Sequence, residues 1–187
     1  MLKRAFLCAG LMVLLAVSCN QVSSDPLNNP ETGITTIPVQ DSISSMATAT
    51  INSQILTLVN QARATARKCG TTSYAAAPAL KLNTLLTNAA QLHSQDMASK
   101  NFFSHTGSNG SSPFARITAQ GYRWSTAGEN IAAGYGTAQA VVSGWLTSPG
   151  HCANIMNPRF KELGVGYAYS STSTYKHYWT NTFAAPY

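Results

Sequence analysis

Three side chains able to bind a metal ion or transfer protons come from separate segments of this 187-residue chain: His105 in Phe-Ser-His, Glu129 in Gly-Glu-Asn-Ile-Ala, and His151 in Ser-Pro-Gly-His. Two neutral imidazoles and one carboxylate form a ligand set that suits zinc or a similar divalent ion and leaves a position for water or another group. Such a site could hold an ion, orient a ligand or activate water. Because no two histidines lie one helical turn apart, the spacing alone does not establish a metal site.

The stretch 144–158 combines a helix stop, a new helix start and a second turn, and it carries His151. Ser148 suits an N-cap, and Pro149 suits the first helical position, where its missing N–H costs nothing and its ring presets φ. These residues predict a short helix with His151 in its first turn. So many helix-capping and turn residues in one stretch indicate that the stretch positions a functional side chain, although a purely structural turn between two helices uses several of the same residues.

The cysteines predict one disulfide, which would fix the position of His151. Of the four cysteines, Cys8 lies in the leader and Cys19 is a proposed lipidation site, so Cys69 and Cys152 remain as one pair in an exported protein. In the chain-entropy model, closing so long a loop is worth roughly 4 kcal/mol. The bond would also tie His151 to the end of the first helix of the domain.

The N-terminus has the pattern of an exported lipoprotein. A basic start precedes an apolar run from Ala5 to Val17 that is too short for a membrane span, so residues 1–18 are interpreted as a signal peptide. The run ends in a small residue followed by Cys19, which resembles the lipobox of bacterial lipoproteins and predicts a membrane anchor at Cys19. The alternative is an ordinary cleaved signal peptide in which Cys19 has no role.

Residues 19–50 are rich in Ser, Thr, Asn, Pro and Gln and have no apolar period that could bury a face. We predict that they form a flexible surface tether and that residues 51–187 form one domain. The expected location is the cell envelope or the extracellular space, with the domain held at a membrane by the N-terminal lipid.

The charge of the chain excludes some functions. The formal net charge of +6 falls to +4 when the two basic residues Lys3 and Arg4 leave with the leader, and the remaining basic residues are scattered. No aromatic-basic motif of a nucleic-acid module is present, so nucleic acid is not an expected partner. Any carboxylate chemistry in the domain falls to three acids, which are Asp96, Glu129 and Glu162.

Helical periodicity early in the domain and strand alternation late in it predict an α+β fold with helices covering sheet faces. The expected helices are 51–66, 83–100, 112–120 and a fourth capped by Thr137, with a loop over 71–81 after the first helix. On the third helix, Phe114 and Ile117 are expected to face inward. The expected hairpin strands are 162–169 and 175–183. On the second helix, His93 and Asp96 lie three residues apart. They could form a catalytic pair, or His93 could be a satisfied histidine at the edge of the core.

Several motifs in order resemble the CAP superfamily, which comprises cysteine-rich secretory proteins, antigen 5 and pathogenesis-related 1 proteins. They are Phe-Ser-His at 103–105, Gly-Glu-Asn-Ile-Ala at 128–132, and Trp-Leu-Thr-Ser-Pro-Gly-His at 145–151 with Asn-Ile-Met at 154–156. The similarity covers about residues 52–185 and is greatest to the bacterial secreted branch, also called the SCP domain. It implies a three-layer α-β-α sandwich with a small antiparallel sheet and a central cleft whose two histidines and acid correspond to His105, His151 and Glu129.

The resemblance implies a cleft protein without fixing its task, because family activities include sterol or lipid binding, metal-dependent binding, signalling and claimed proteolysis. Eukaryotic members place a second glutamate shortly after the tryptophan, where this chain has Ser148, so a mechanism needing two carboxylates is disfavoured. We expect a monomeric binding protein that holds a divalent ion, zinc first, and an extracellular lipid, peptide or cell-envelope ligand, with no organic cofactor. The main alternative is a metal-dependent hydrolase, a protease or esterase, in which Glu129, His105 and His151 are catalytic.

Two further alternatives use other residues. A nucleophilic enzyme would need Ser104 or Ser148, which adjoin the histidine motifs, but neither serine lies in a nucleophile-elbow pattern. Lipid could instead bind along the tyrosine-rich hairpin. The aromatic residues available there, whose alternation equally suits core packing, are Tyr167, Tyr169 and Trp179.

Overall fold

The computed structural model describes residues 39–187, with side chains described from residue 46 onward. The predicted signal peptide, Cys19 and the first part of the predicted tether lie outside the described residues. The elements in chain order are α1 (Val39–Arg63), β1 (Arg67–Cys69), β2 (Thr72–Tyr74), β3 (Lys81–Leu82), α2 (Thr84–Lys100), α3 (Pro113–Ala119), β4 (Trp124–Ala133), α4 (Ala138–Thr147), α5 (Pro149–Met156), β5 (Glu162–Tyr169) and β6 (His177–Pro186).

The central sheet has four strands in the order β3-β5-β6-β4. The short strand β3 pairs parallel with β5, whereas β5 and β4 both pair antiparallel with β6. Strands β1 and β2 form a separate antiparallel ribbon after α1. The long pairing of β4 with β6 places Glu129 opposite Thr182, near the middle of an edge strand.

Helices cover both faces of the central sheet. One face presents Leu163, Val165, Trp179 and Phe183 to the larger core, which includes buried residues of α1, α4 and α5 such as Ile55, Val59, Val141, Trp145 and Ile155. Helix α2 packs on the opposite face against β5 and β6. These layers confirm the predicted α+β, three-layer α-β-α sandwich with a small sheet flanked by helices.

Two glycines in β5 allow α2 to approach the sheet closely. A Cβ atom at Gly164 would overlap the backbone of Leu86, and one at Gly166 would overlap the backbone of Ala90. Because those neighbours are backbone atoms, no side-chain rotation could relieve the overlap. The glycine alternation in β5 therefore sets the spacing between α2 and the sheet.

Most predicted elements are present, with differences at the ends. Helix α1 begins at Val39, earlier than the predicted residue 51, so the described end of the predicted tether is helical. Strand β1 lies just after the predicted end of the first helix, and β2 lies within the predicted loop 71–81. Strand β4 was not predicted. Phe114, predicted to face inward, is exposed, and its ring packs against Trp124.

The corner that carries His151 is fixed from two sides. The predicted disulfide is present, with the Cα atoms of Cys69 and Cys152 5.4 Å apart. The buried Arg63 guanidinium donates through Nη1 to the carbonyls of Ile155 (2.6 Å) and Asn157 (3.0 Å) at the end of α5. Burial lowers the pKa of Arg63 to about 10, and the partial negative charge of the α5 C-terminus favours the cation.

No helix within residues 39–187 combines the length and the apolar character that crossing a membrane requires.

Candidate functional site

The predicted site residues His105 and Glu129 are in direct contact. His105 lies in the loop after α2, and Glu129 lies on β4. The Nδ1 atom of His105 is 2.7 Å from Oε1 of Glu129, and the second carboxylate oxygen accepts from Nη2 of Arg116 at 2.8 Å. The Glu129 side chain is 4% exposed, whereas that of His105 is 51% exposed, so a buried ion pair holds a ring that faces solvent.

This contact fixes the orientation of the imidazole. A carboxylate only accepts hydrogen bonds, so Nδ1 of His105 must carry the proton, and in the neutral ring Nε2 is left as a lone pair. A histidine that binds a metal commonly donates its other nitrogen to a carboxylate in this way. The arrangement therefore makes His105 an oriented ligand or base and makes Glu129 its positioning partner.

Arg116 is a site residue that the sequence did not reveal. Besides Glu129, it donates to the carbonyls of His105 (3.0 Å) and Ser111 (2.9 Å), so one guanidinium joins α3, the His105 loop and β4. Its side chain is largely buried, and its charge compensates that of Glu129. The only signal in the sequence was an arginine in a helix that follows the His105 loop.

His151 lies in the first turn of α5, as predicted, although Ser148 caps the helix without a side-chain hydrogen bond. Its backbone carbonyl accepts from Nδ2 of Asn130 at 3.0 Å. Asn154 donates to the Glu129 carbonyl (3.2 Å) and to Oδ1 of Asn130 (2.9 Å), which ties α5 to the edge of β4. Burial, and secondly the charge of nearby His105, lower the pKa of His151, so this imidazole is neutral at pH 7.

The donor set suits a metal only in part. Both Glu129 oxygens are engaged, by His105 and Arg116, so the carboxylate is not free to act as a third ligand. In the described part of the chain no three His, Cys, Asp or Glu side chains converge as a metal-ligand cluster. The remaining candidate zinc ligands are the imidazoles of His105 and His151, and the ligation of zinc by these residues remains a prediction.

A cleft of about 420 Å³ opens beside His151. It lies between the β4 edge, α4, the start of α5, and the loops that carry Phe103 and Tyr175. The residues that line it, mostly aromatic or apolar, are Phe103, Ile131, Ala132, Ala133, Tyr135, Gly144, Trp145, Thr147, Ser148, His151 and Tyr175. Its size is that of a small-molecule site.

His93 and Asp96 do not form a pair. Nε2 of buried His93 donates to the Ser104 carbonyl at 2.9 Å, and its Nδ1 is without a partner. Asp96 instead accepts from the backbone and hydroxyl of Ser108 and pairs with Lys100 at 3.1 Å. His93 therefore supports the backbone just before His105 from the core, as the structural alternative predicted.

The other sequence candidates have structural partners. The Ser104 hydroxyl accepts from the Thr106 backbone N–H at 3.0 Å, which matches a turn rather than a nucleophile. On the hairpin, Trp179 is buried in the larger core and Tyr167 packs against it, as core packing predicts, whereas Tyr169 is exposed.

The comparisons with known proteins agree with this fold. The profile of the cysteine-rich secretory protein family, CAP, matches residues 56–183. An extracellular protein containing a SCP domain from Bacillus anthracis str. Ames has a crystal structure with a TM-score of 0.59 and 30% identity, covering 73% of this chain and 40% of that chain. An outer surface protein from Borrelia burgdorferi has a TM-score of 0.57 at 17% identity, covering 81% of this chain and 97% of that chain. At that identity the likeness concerns the fold alone.

Two proteins of Bacillus subtilis (strain 168) are similar in sequence. Uncharacterized protein YkwD is 41% identical over 104 residues, which are 56% of this chain and 38% of YkwD. Uncharacterized membrane protein YlbC is 40% identical over 74 residues, 40% of this chain and 21% of YlbC. The aligned part thus spans less than half the length of either relative.

Since the family profile covers the helices and strands that build the sheet, the cleft and the His105–Glu129 pair, the chain belongs to the cysteine-rich secretory protein (CAP) family.

Proposed function

We propose that this chain is an exported, lipid-anchored binding protein of the CAP family whose ligand occupies the cleft beside His105 and His151. The observation that carries the proposal is the His105–Glu129–Arg116 chain of contacts, in which a buried carboxylate orients a half-exposed imidazole. Burying a carboxylate is costly unless it is paired, and the arrangement gives a surface imidazole one fixed orientation. An imidazole held in one orientation presents its free nitrogen to a ligand in a defined direction, which suits ligand recognition.

A divalent ion, zinc first, would be held by His105 and His151, with Glu129 orienting the His105 ring. When bound, zinc would supply a Lewis acid for ligand oxygen or nitrogen atoms. The residues of the chain act independently of it: Glu129 keeps the proton of His105 on Nδ1, and burial keeps His151 neutral. Two protein ligands are fewer than the three of catalytic zinc sites, so weak zinc binding is expected.

The second candidate is a metal-dependent hydrolase, protease or esterase, in the same cleft. The contact between a carboxylate and an imidazole favours it, because this pairing positions a general base in many enzymes. Against it, the described residues that line the cleft include no carboxylate, and each Glu129 oxygen already contacts a protein donor, on His105 or on Arg116. Binding without turnover is therefore the first proposal.

Export and anchoring at Cys19 are supported by the sequence pattern, and export also by the similarity to an extracellular protein of Bacillus anthracis. Labelling the full chain with a radioactive fatty acid in a bacterial host tests the anchor. Incorporation that is lost in Cys19→Ala supports it. Equal labelling of the wild type and Cys19→Ala, or no labelling of either, contradicts it.

One experiment separates the two candidate functions. The domain from residue 39 onward is titrated with zinc by calorimetry, as wild type and as His105→Ala, Glu129→Gln and the control His177→Gln, which changes a partly buried histidine that contacts Tyr167. Peptide and ester substrates are then assayed with and without a chelator. Zinc binding that is lost only in His105→Ala and weakened in Glu129→Gln, without turnover, supports the binding protein, whereas chelator-sensitive turnover establishes the hydrolase.

A further inference from the structure

Three exposed aromatic side chains surround the cleft beside His151. Phe103 is 46% exposed, Tyr175 is 49% exposed and Tyr135 is 39% exposed, and all three line the same cavity. The rings of Phe103 and Tyr175 meet edge to face with centroids 6.1 Å apart. Grouped aromatic rings that a fold leaves in water mark a binding surface more often than scattered ones do.

A backbone in the left-handed region stands near each of these rings. Asn101 has φ 52° two residues before Phe103, Lys176 has φ 62° directly after Tyr175, and Gly134 has φ 85° directly before Tyr135. The first two are not glycine, so their conformation costs free energy that the surrounding contacts must offset. Strain of this kind gathers at sites where side chains must be presented in one orientation.

Asn101 connects the loops that carry Phe103 and Tyr175. Its Oδ1 accepts from the Thr174 backbone N–H at 2.7 Å, directly before Tyr175, and from the Tyr178 hydroxyl at 3.4 Å. The same residue caps α2 two positions before Phe103. One side chain thus fixes the loops that carry Phe103 and Tyr175 relative to each other.

The position of the Tyr135 ring depends on a glycine in α4, Gly144. A Cβ at Gly144 would lie 2.6 Å from the hydroxyl of Tyr135, so the absence of a side chain on α4 makes room for the phenol. The Tyr135 backbone carbonyl accepts from Nε1 of Trp179 at 2.7 Å. These contacts place the Tyr135 ring over α4 at the rim of the cleft.

The described residues that line the cleft include no Asp, Glu, Lys or Arg. The polar groups it offers are the hydroxyls of Thr147, Ser148 and the tyrosines together with the His151 imidazole. A charged ligand would lose hydration there without gaining a partner, so the ligand is neutral, with hydroxyl or amide groups and flat apolar faces.

We propose that this cleft binds a neutral oligosaccharide of β-linked, gluco-configured sugars, an inference that rests on the proposed binding function and names its ligand class. All ring substituents of such sugars are equatorial, so each ring face presents axial C–H bonds with partial positive charge. These faces match the electron-rich faces of Phe103, Tyr135 and Tyr175. The equatorial hydroxyl or acetamido groups would hydrogen-bond to Thr147, Ser148 and His151.

The test uses two defined probes, cellotriose and tri-N-acetylchitotriose, titrated calorimetrically into the domain from residue 39 onward. We expect binding of at least one probe, weakened about fivefold in Tyr175→Ala, because loss of one ring contact is worth about 1 kcal/mol. Tyr187→Ala, which removes a more exposed tyrosine away from the cleft, should leave the affinity unchanged. Circular dichroism confirms that both variants fold.

The positioning role of Asn101 is tested in the same titration. Asn101→Gly keeps the left-handed backbone and removes the side-chain acceptor, so it should weaken sugar binding. Asn101→Asp retains an acceptor oxygen and should restore most of the affinity. Equal affinity in Asn101→Gly and the wild type would contradict the positioning role.

The outcomes separate this inference from the proposed function. No binding of either sugar at millimolar concentration, with zinc binding by His105 retained, overturns the inference and leaves the binding function standing. Binding of a neutral peptide or a detergent micelle that Tyr175→Ala abolishes, without sugar binding, also overturns it. Absence of both zinc and sugar binding overturns the inference and the proposed function together.

Discussion

Breaking the Cys69–Cys152 disulfide tests how the corner carrying His151 is stabilised. The bond joins cysteines 83 residues apart in sequence. For a loop of that length, the chain-entropy expression predicts a stabilisation of about 4.6 kcal/mol at 25 °C. This is a large fraction of the roughly 5–15 kcal/mol typical of a whole domain, so reduction is expected to bring the protein close to unfolding.

The measurement compares three forms by urea unfolding: the oxidised wild type, the wild type with the bond reduced, and the double variant Cys69→Ala with Cys152→Ala. The difference between the oxidised and reduced wild type isolates the bond, because the side chains are otherwise the same. The further loss in the double variant reports packing of the two buried sulfurs. The m-value should rise on reduction, since the unfolded chain becomes more expanded.

A midpoint shift that corresponds to less than about 1 kcal/mol on reduction would refute the entropic reasoning, which sets the effect by loop length. It would also mean that the contacts of Arg63 with the carbonyls at the end of α5 suffice to hold that helix.

Three further predictions concern the core. Arg63→Met should lower the free energy of unfolding by about 3 kcal/mol, because buried carbonyls lose their donors, whereas exposed Arg123→Met should change it by less than about 0.5 kcal/mol; equal effects in chemical denaturation would contradict the role of Arg63. Gly164→Ala should cost about 3 kcal/mol or more, because its Cβ meets backbone, and a wild-type midpoint would show that α2 can shift. Burial lowers the pKa of His93, so below about pH 6.5 the unfolded chain binds more protons than the folded chain, and the free energy of unfolding should fall by about 1.4 kcal/mol per unit of difference between the two pKa values. His93→Gln should flatten that decline, and a variant with the same pH profile as the wild type would contradict the role of His93.

The local patterns of the sequence predicted most of the fold. The helices expected from residues 83 and 112 and after Thr137 begin there, and the N-caps Asn83, Ser112 and Thr137 each accept a backbone hydrogen bond from the first turn of the helix. Alternation marked the hairpin of β5 and β6. Such signals are local, because a cap or a strand face is defined by residues close together in the chain.

Features that depend on distant partners were not predicted. Strand β4 has a Gly-Glu-Asn centre with little strand propensity, and it forms because β6 pairs with it along its length. The early start of α1 at Val39 could not be inferred from a segment with a polar, Ser- and Thr-rich composition. The partnership of Arg116 with Glu129 joins α3 to β4, and no periodicity in the sequence records it.

For the candidate site, the sequence named His105, Glu129 and His151 but neither Arg116 nor the contacts among these residues. The sequence grouped His105, Glu129 and His151 as equal ligands. The structure makes Glu129 a partner of His105 and Arg116, because a buried carboxylate must satisfy both oxygens and the nearest donors are protein groups. Roles of this kind depend on distances that residue types alone do not contain.

The most direct test of the account is a nitrogen NMR spectrum of the four histidine rings during a zinc titration. We predict that His105 in the free protein is protonated on Nδ1 and His93 on Nε2, as their acceptors Glu129 and the Ser104 carbonyl require. On adding zinc, the rings of His105 and His151 should shift together while those of His93 and His177 stay unchanged. A His105 ring protonated on Nε2, or zinc shifts that leave His105 and His151 unaffected, would contradict the central claim.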